Sequence, residues 1–260
     1  MFKTKTGIVQ IDAETSFMLL ADFQLKNHGY ISPSNIVQDW SIYCVAWKFL
    51  DGPRTYSSQV DISEVKNDYK VCSDIREVLQ DTKLLVGHNL DKFDLKKLNT
   101  RFIYHGIEPV DHKILTFDTL KAAKKHFCFS SNKLDYLANY LGVGRKLPHS
   151  HSDWFKLLTD PDQTTLDFMV KYCKHDVNPL LEGVHLKLKP YVDYPNLTGR
   201  LKGDDYICTH CGSTDYMKWG FKYSKAGKKI QRYQCNACRG WGQEAYSELD
   251  EDGPTEVIVL

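Results

Sequence analysis

The chain has 260 residues, of which 42% are hydrophobic and 12% aromatic, enough for one large domain or for a medium domain with a small one. No apolar run is long enough to span a bilayer, and residues 1–6 lead straight into a strand pattern without the apolar core of a signal peptide. The composition therefore predicts no membrane association and no secretion signal.

The net charge of +1 conceals an uneven distribution. Residues 200–243 carry nine bases and three acids, whereas residues 244–260 carry six acids and no base. This pattern predicts a basic module that binds a polyanion, followed by an acidic tail. Four of the eight cysteines form two Cys-x-x-Cys pairs. The other four lie among apolar neighbours, as is typical of buried thiols in a reducing compartment. They are Cys44, Cys72, Cys128 and Cys173. We therefore expect a cytoplasmic protein.

Hydrophobic periodicity predicts strands that alternate with helices early in the chain and mostly helices later. An irregular insertion is expected at 17–35, and Ser73-Asp74 is expected to cap a helix. Pro179 should kink the last helix. The predicted strands cover 7–14, 40–49, 54–60, 84–87 and 114–117, and the later helices cover 118–127, 132–141 and 165–186. The pattern predicts a mixed α/β sheet flanked by helices, with functional acids at strand ends.

Two carboxylates end the first predicted strand, as Asp12-Ala13-Glu14. Residues i and i+2 of a strand lie on the same face, and adjacent carboxylates raise each other's pKa unless a cation lies between them. The functional interpretation is a divalent-metal site. The alternative is a pair of solvated charges in a turn, so further acids are needed to decide.

Two later segments offer such acids. Asp94 follows the 84–87 strand, with Asp91 as its rival, although either could be a charge at a helix N-terminus. Tyr172 and Asp176 stand at i and i+4 and so share one helix face, which is also common for a half-buried phenol and a surface acid. Asp118 is expected to be a helix N-cap, and His88 a hydrogen-bonded histidine near the core.

These residues together resemble a known family. Asp12-x-Glu14, Asn89-x-x-x-Phe93-Asp94 and Tyr172-x-x-x-Asp176 resemble the three motifs of the DEDD superfamily of 3′→5′ exonucleases, in its tyrosine-containing subfamily. They are similar to the exonuclease domains of family-B DNA polymerases, as are the segments 131–137 and Leu141-Gly142. The resemblance covers about 7–188 and implies a ribonuclease-H-like α/β fold.

The resemblance implies phosphodiester hydrolysis with two Mg²⁺ or Mn²⁺ ions. We assign Asp12 to bridge both ions, Glu14 and Asp176 to the nucleophile side, and Asp94 to the leaving-group side. Tyr172 would orient the attacking water, and His175 is a weaker candidate for a base. The expected nucleic-acid contacts in this domain are Thr15, Met18, Asn89 and Asn132, although Phe17, Met18 and Leu19 could equally belong to the core.

A second motif lies near the C-terminus. Cys208-x-x-Cys211 and Cys235-x-x-Cys238 are separated by 23 residues, a spacing that predicts a tetrahedral Cys₄ site for one structural Zn²⁺ rather than catalytic thiols. The segment resembles the zinc ribbons of transposases and other nucleic-acid enzymes. The expected organisation is a nuclease domain at 1–190, a linker at 191–203, the ribbon at 204–243 and an acidic tail at 244–260.

The predicted hairpin tip of the ribbon is basic, with aromatic side chains nearby, a combination that suits single-stranded nucleic acid. Its expected contacts are Lys222, Lys225, Lys228 and Lys229. A purely structural ribbon or a protein-docking module are the alternatives. The acidic tail could be disordered, fold against the ribbon, or bind a replication or repair protein.

The sequence thus predicts a metal-dependent 3′→5′ exonuclease, with DNA favoured over RNA by the motif resemblance alone. The alternatives are an RNA-trimming exoribonuclease, a strand transferase of the transposase or integrase type, and a nucleic-acid-binding adaptor with a degenerate site. The strand transferase is disfavoured because its acids are widely spaced, unlike Asp12-x-Glu14 followed by Tyr172-x-x-x-Asp176.

Overall fold

The computed structural model describes residues 7–21, 32–111, 114–195, 208, 213, 215–224, 227–237 and 239–245. The chain divides into two compact units, Met1–Pro195 and Asn196–Leu260.

The first unit is built on a five-stranded mixed sheet. In the order β5-β4-β1-β6-β7, β4 pairs antiparallel with β1 and β5, while β6 pairs parallel with β1 and β7. The short strands β2 and β3 form a separate antiparallel pair. The strands are β1 (Ile8–Thr15), β2 (Leu19–Leu20), β3 (Ile36–Gln38), β4 (Ile42–Phe49), β5 (Thr55–Gln59), β6 (Leu84–Gly87) and β7 (Leu115–Asp118).

The described part of the first unit contains helices that pack on this sheet and on one another. They are α1 (Tyr69–Gln80), α2 (Asp94–Tyr104), α3 (Thr119–His126), α4 (Leu134–Tyr140), α5 (His151–Thr159), α6 (Gln163–His175) and α7 (Glu182–Leu188). The mixed α/β sheet flanked by helices is confirmed. No helix within the described ranges is both long and apolar enough to cross a bilayer.

The predicted kink at Pro179 is also confirmed. Helix α6 ends at His175, and Asp176–Leu181 form a π-type turn in which Asn178 leaves the helical region, with φ −141° and ψ 114°. A proline ring excludes the continuous helix at this point and lets α7 start in a new direction.

Strand β1 has two different faces. Val9, Ile11 and Ala13 point into the main apolar core, whereas Gln10 on the other face contacts Nδ1 of His185 through its Nε2 at 3.0 Å. On the same face of the neighbouring strand β4, Lys48 forms a 2.5 Å ion pair with Glu182 of α7. These buried polar contacts fix α7 beneath the carboxylates that end β1.

The prediction that Ser73-Asp74 caps a helix is wrong, because α1 already begins at Tyr69. The buried carboxylate of Asp68, the residue before α1, anchors the chain there. It accepts hydrogen bonds from the Ile42 amide at 2.8 Å, from Arg101 at 2.7 and 2.6 Å, and contacts Nε2 of His105 at 2.6 Å. Burial alone would raise the pKa of Asp68, but the bonds from Arg101 and His105 hold it below its usual value.

Two other expectations need correction, and one helix has no counterpart among the predicted elements. The insertion at 17–35 is not wholly irregular, since it includes β2 and a 3₁₀ turn at Pro33–Asn35, while 22–31 lie outside the described residues. Helix α5 was not predicted, although Ser150 and Asp153 form a capping box at its start. Cys128 is exposed rather than buried, because it follows the end of α3 in a connecting segment.

The second unit contains a three-stranded antiparallel sheet in the order β10-β9-β8. Its strands are β8 (Tyr216–Tyr223), β9 (Lys229–Cys235) and β10 (Trp241–Ala245). Cys208 and Cys235 are buried together with Tyr233. The other two predicted zinc ligands, Cys211 and Cys238, lie outside the described residues, as do Lys225 and 246–260.

Breaking the buried Asp68–Arg101 ion pair should destabilise the first unit. Arg101→Met leaves the Asp68 carboxylate buried without its two-pronged partner, so we expect the free energy of unfolding to fall by about 3 kcal/mol. Lys70→Met removes the exposed lysine that pairs with Asp74, which also accepts a hydrogen bond from Ser58, and should cost less than about 1 kcal/mol. Urea denaturation of the two variants measures both values, and equal losses would contradict this account.

Candidate active site

Three carboxylates from two distant parts of the chain converge at the end of β1. Asp12 and Glu14 extend from the same face of that strand, and Asp176 follows the last residue of α6. One carboxylate oxygen of each residue lies within 4.8 Å of those of the other two. Tyr172, one turn earlier on α6, is buried beside them.

A fourth acid lies beside this group. Asp94 is the first residue of α2; it is buried, and its Oδ1 accepts a 3.2 Å hydrogen bond from the amide of Ala13. Its rival Asp91 instead forms a 2.6 Å ion pair with Lys121. The structure therefore brings Asp94 next to Asp12 and engages Asp91 elsewhere.

Burial and mutual repulsion make these carboxylates hard to ionise together. Desolvation, followed by the charge of Asp176, raises the pKa of Asp12 to about 7. Burial and the charge of Asp12 also raise the pKa values of Glu14 and Asp94 well above their usual range, and burial raises that of Asp176. Ionising the whole group at neutral pH requires added positive charge.

The oxygen atoms of the group fit a divalent cation. Among the residues that the structure describes, Oδ2 of Asp12 and Oδ1 of Asp176 are buried without a hydrogen-bond partner. Buried carboxylate oxygens with unused lone pairs are the ligands that Mg²⁺ and Mn²⁺ prefer. The other possible metal-binding group, Asp68 with Cys72 and His105, differs because the Asp68 oxygens already accept hydrogen bonds from Arg101 and the Ile42 amide.

Lys146, which the sequence analysis did not identify, supplies one positive charge from within the chain. Its ammonium forms an ion pair with Asp176 and donates a 3.1 Å hydrogen bond to the hydroxyl of Tyr172. Burial alone would lower its pKa, but the charges of Asp176 and Asp12 raise it above its usual value. Lys146 is therefore charged at neutral pH. Burial and the charge of Asp176 raise the pKa of Tyr172 to about 12, so its hydroxyl keeps its proton.

The segment that carries Lys146 is held in place at two points. The amide of Lys146 donates a 2.7 Å hydrogen bond to Asp135 of α4. Just before it, Val143 packs so closely on α7 that a Cβ at Gly183 would lie 2.3 Å from its Cγ1. A side chain at position 183 would push the segment away, so this glycine is needed for the close approach.

Two aromatic residues that sequence reasoning also missed complete the site. Trp154 of α5 donates a 3.2 Å hydrogen bond through Nε1 to Glu14, and its ring meets that of Tyr172 edge-on at 5.5 Å. The ring of His149 lies 4.8 Å from the Tyr172 ring. The capping box at Ser150, followed by apolar residues at 154, 157 and 158, is the sequence signal that could have located α5.

The remaining predicted contacts are spread over several places. Asn89 and Asn132 line a cleft of about 700 Å³ that Lys146 and Tyr172 also border. Thr15 is half-buried at the end of β1, and Met18 is exposed shortly after it.

Three secondary predictions can also be placed. Asp118 caps α3 by accepting hydrogen bonds from the amides of Leu120 and Lys121, as predicted. His88 contacts Thr119 at 2.9 Å, and burial lowers its pKa to about 4. Nε2 of His175 contacts the Arg145 carbonyl oxygen at 2.8 Å.

The predicted lysine contacts of the second unit lie around its first hairpin. Lys222 and Lys228 are exposed, and the ammonium of Lys229 lies 4.2 Å from the centre of the Phe221 ring. Strands β8 and β9 pair antiparallel, as the predicted hairpin requires, while Lys225 lies outside the described residues.

Comparison with known proteins places the fold. Residues 38–182 match the model of the RNase H superfamily. Solved structures with a similar fold include the family B DNA polymerase from the hyperthermophilic archaeon Pyrobaculum calidifontis, with a TM-score of 0.50 and 17% sequence identity. That match covers 71% of this chain but 26% of the polymerase chain. No curated protein sequence matches this chain significantly.

The crowded carboxylates predict an unusual gain in stability from a neutral substitution. At pH 8, without added Mg²⁺ or Mn²⁺, Asp12→Asn should raise Tm by about 2–5 °C, because it removes a charge whose pKa is raised to about 7. An acid with a raised folded-state pKa destabilises the fold most above that pKa, so the gain should shrink towards pH 5. Mn²⁺ should then raise Tm of the unsubstituted protein more than that of Asp12→Asn.

Thermal melts over pH 5–8, with and without Mn²⁺, test this prediction. Asp91→Asn is the matched control, because Asp91 is a nearby acid outside the group. This substitution should neither raise Tm at pH 8 nor reduce the increase in Tm that Mn²⁺ causes. A Tm of Asp12→Asn below that of the unsubstituted protein at pH 8 would contradict the electrostatic account.

Proposed function

This chain belongs to the RNase H superfamily, and from that premise we propose that it is a metal-dependent 3′→5′ exonuclease. It hydrolyses phosphodiester bonds from the 3′ end of a nucleic acid, with DNA as the favoured substrate and RNA as the alternative. The observation that carries the proposal is the convergence of Asp12, Glu14 and Asp176 within 4.8 Å, with buried oxygens that lack partners among the described residues.

Asp12, Glu14, Asp94 and Asp176 would hold two Mg²⁺ or Mn²⁺ ions. When bound, such ions supply an activated water and stabilise the charge on the attacking and leaving oxygens. The pKa values of the four acids, raised by burial and by one another, fit this role because a bound cation favours their ionised forms.

Tyr172 and Lys146 would position the attacking water. The Tyr172 hydroxyl accepts a hydrogen bond from Lys146 and keeps its own proton, so its O–H can donate a hydrogen bond to the oxygen of a water. A phenol whose pKa is about 12 is a poor general base at pH 7. Its role is therefore to orient the water, while Lys146 holds both Tyr172 and Asp176 in place.

The cleft beside Tyr172 would receive the nucleic acid near its 3′ end. Its polar lining includes Asn89 and Asn132, and Oδ1 of Asn132 is buried without a hydrogen-bond partner among the described atoms. Lys124 and Lys133 add positive charge to the same wall. Amide groups for bases and sugars, together with cations for phosphates, suit a single strand.

The second unit would be a zinc ribbon that helps to hold the nucleic acid. Cys208 and Cys235 share a buried cluster, which fits a site completed by Cys211 and Cys238. One Zn²⁺ bound by the four thiolates would stabilise a unit too small for a large apolar core. The acidic tail would bind a replication or repair protein.

Two substitutions test the catalytic proposal. Asp12→Ala and Asp176→Ala should each reduce Mg²⁺-dependent release of mononucleotides by at least about 1000-fold, because each removes a carboxylate that would hold the ions. Asp167→Ala is the matched control, since Asp167 is an exposed acid on the same helix as Tyr172, and it should keep full activity. The assay follows 5′-labelled single- and double-stranded DNA and RNA side by side.

The label and the substrate panel separate the remaining alternatives. A ladder that shortens one nucleotide at a time from the 3′ end fixes the polarity, and preference for RNA would favour the exoribonuclease. Binding without cleavage by the unsubstituted protein would favour the adaptor. Undiminished cleavage by Asp12→Ala or Asp176→Ala would refute the proposed site.

Lys146 gives a further test of the site. Lys146→Met removes the positive charge that pairs with Asp176 and supports Tyr172, so we expect kcat/KM to fall by about 10–100-fold. Lys146→Arg, which keeps the charge, should lose less. Lys171→Met alters an exposed lysine of the same helix α6 and serves as the control. Equal activity of the Met variants at positions 146 and 171 would show that this charge does not matter.

A further inference from the structure

One face of the sheet in the second unit is exposed although it is rich in aromatic and apolar side chains. The strand register places Met217 and Trp219 of β8, Arg232 of β9 and Trp241 of β10 on this face. Trp219 is 49% exposed, and Met217 and Trp241 are each 45% exposed. We call these four residues the tryptophan face.

The opposite face of the same sheet is buried along β9, while Phe221 and Tyr223 of β8 remain exposed on it. It carries Gln231, Tyr233 and Cys235, and the latter two are buried together with Cys208. An antiparallel sheet with one buried face normally presents polar side chains on the other. Here the second face presents two tryptophans and a methionine, and such an exposed apolar patch on a small sheet marks a binding surface.

The side chains of the tryptophan face are arranged in a row across the strands. The ring centres of Trp219 and Trp241 are 5.7 Å apart with planes at 64°. The guanidinium carbon of Arg232 lies 4.7 Å from the centre of the Trp241 ring. The row therefore offers two ring surfaces for stacking and a cation that can reach a negative group beside them.

The surrounding charge identifies the kind of partner. Residues 215–243 carry seven lysines and arginines and one acid, so the sheet is strongly basic. Lys222 of β8 pairs with Ile230 and is exposed on the same face as Arg232, whereas the exposed Lys218 pairs with Tyr233 on the other face. A basic surface with exposed rings matches a polyanion that has unpaired aromatic bases. A duplex would offer its phosphates but keep its bases stacked inside.

We propose that the tryptophan face binds single-stranded nucleic acid by stacking bases on Trp219 and Trp241, while Arg232 contacts a phosphate. The inference deepens the proposed nuclease function and rests on it, because it gives the second unit the task of holding the strand that the first unit would cleave. Stacking is tolerant of base identity, so the surface should bind DNA and RNA strands with little sequence preference.

The test measures binding separately from cleavage. Full-length protein with Asp12→Asn is titrated into labelled oligothymidylate and oligouridylate, and fluorescence anisotropy gives Kd. Trp219→Leu with Trp241→Leu keeps apolar bulk but removes the rings, so Kd should rise about tenfold or more for both strands. Trp219→Phe with Trp241→Phe keeps rings, so it should retain most of the affinity.

Tryptophan emission adds a direct sign of stacking. In the parent protein the single strands should quench this emission, and the quenching should largely disappear in the double Phe variant although binding persists. Arg232→Gln should lower the slope of log Kd against the logarithm of salt concentration by about one, because one phosphate contact is lost.

Three controls separate stacking from other effects. An abasic oligonucleotide has phosphates without bases, so it should bind more weakly and be indifferent to the double Leu substitution. Tyr191→Leu alters an exposed aromatic residue of the first unit and should not change Kd. Zinc content and thermal melts check that the second unit remains folded.

Clear outcomes would overturn the proposal. It fails if the double Leu variant binds the single strands as tightly as the parent, which would leave the face to a protein partner. It also fails if duplex DNA binds as well and loses the same affinity. Neither result touches the catalytic proposal, which depends on cleavage by the unsubstituted protein and its loss in the Asp12→Ala and Asp176→Ala variants.

Discussion

Buried negative charge is the constraint on which the first unit depends. Asp12, Glu14, Asp94 and Asp176 are all drawn to the end of one strand, where burial and mutual repulsion raise their pKa values. Such a group destabilises a fold unless positive charge compensates it. Lys146 supplies part of that charge from within the chain. The proposed divalent ions would supply the rest, so the same electrostatic cost that weakens the metal-free protein would give the ions their affinity.

The site also needs a rigid support, because small displacements would separate the carboxylates. Helix α6 carries Tyr172 and leads to Asp176, and the kink at Pro179 turns the chain into α7. Helix α7 is then fixed to the sheet by the partly buried Lys48–Glu182 pair and by the contact of Gln10 with His185. These polar contacts lie on the same face of the sheet as Asp12. The support and the site are therefore parts of one buried polar layer.

The size of each unit suits the role proposed for it. The first unit is large enough to bury ionisable groups, which is what a metal-dependent site requires. The second is a small sheet with one buried face, so its other face remains available for rings and cations. Proposed cleavage in a buried site and proposed binding on an exposed face are consistent with these different sizes.

The sequence by itself determined the features that depend on near neighbours. Alternation in β1 puts Asp12 and Glu14 on one face, the helical repeat puts Tyr172 next to Asp176, and proline geometry predicts the kink. The fold class followed from the order of such elements. Whether the four acids hold metal ions is still a prediction.

Tertiary structure decided what long-range packing controls. It placed Asp94 rather than Asp91 beside Asp12. Helix α1 begins at Tyr69, directly after the buried Asp68. Packing also brought Lys146 next to Asp176 and Trp154 next to Glu14. Lys146 meets Asp176 across 30 positions, and Trp154 meets Glu14 across 140. Local sequence periodicity cannot predict such pairs, because they form only when separate elements pack together and bring their polar groups into contact.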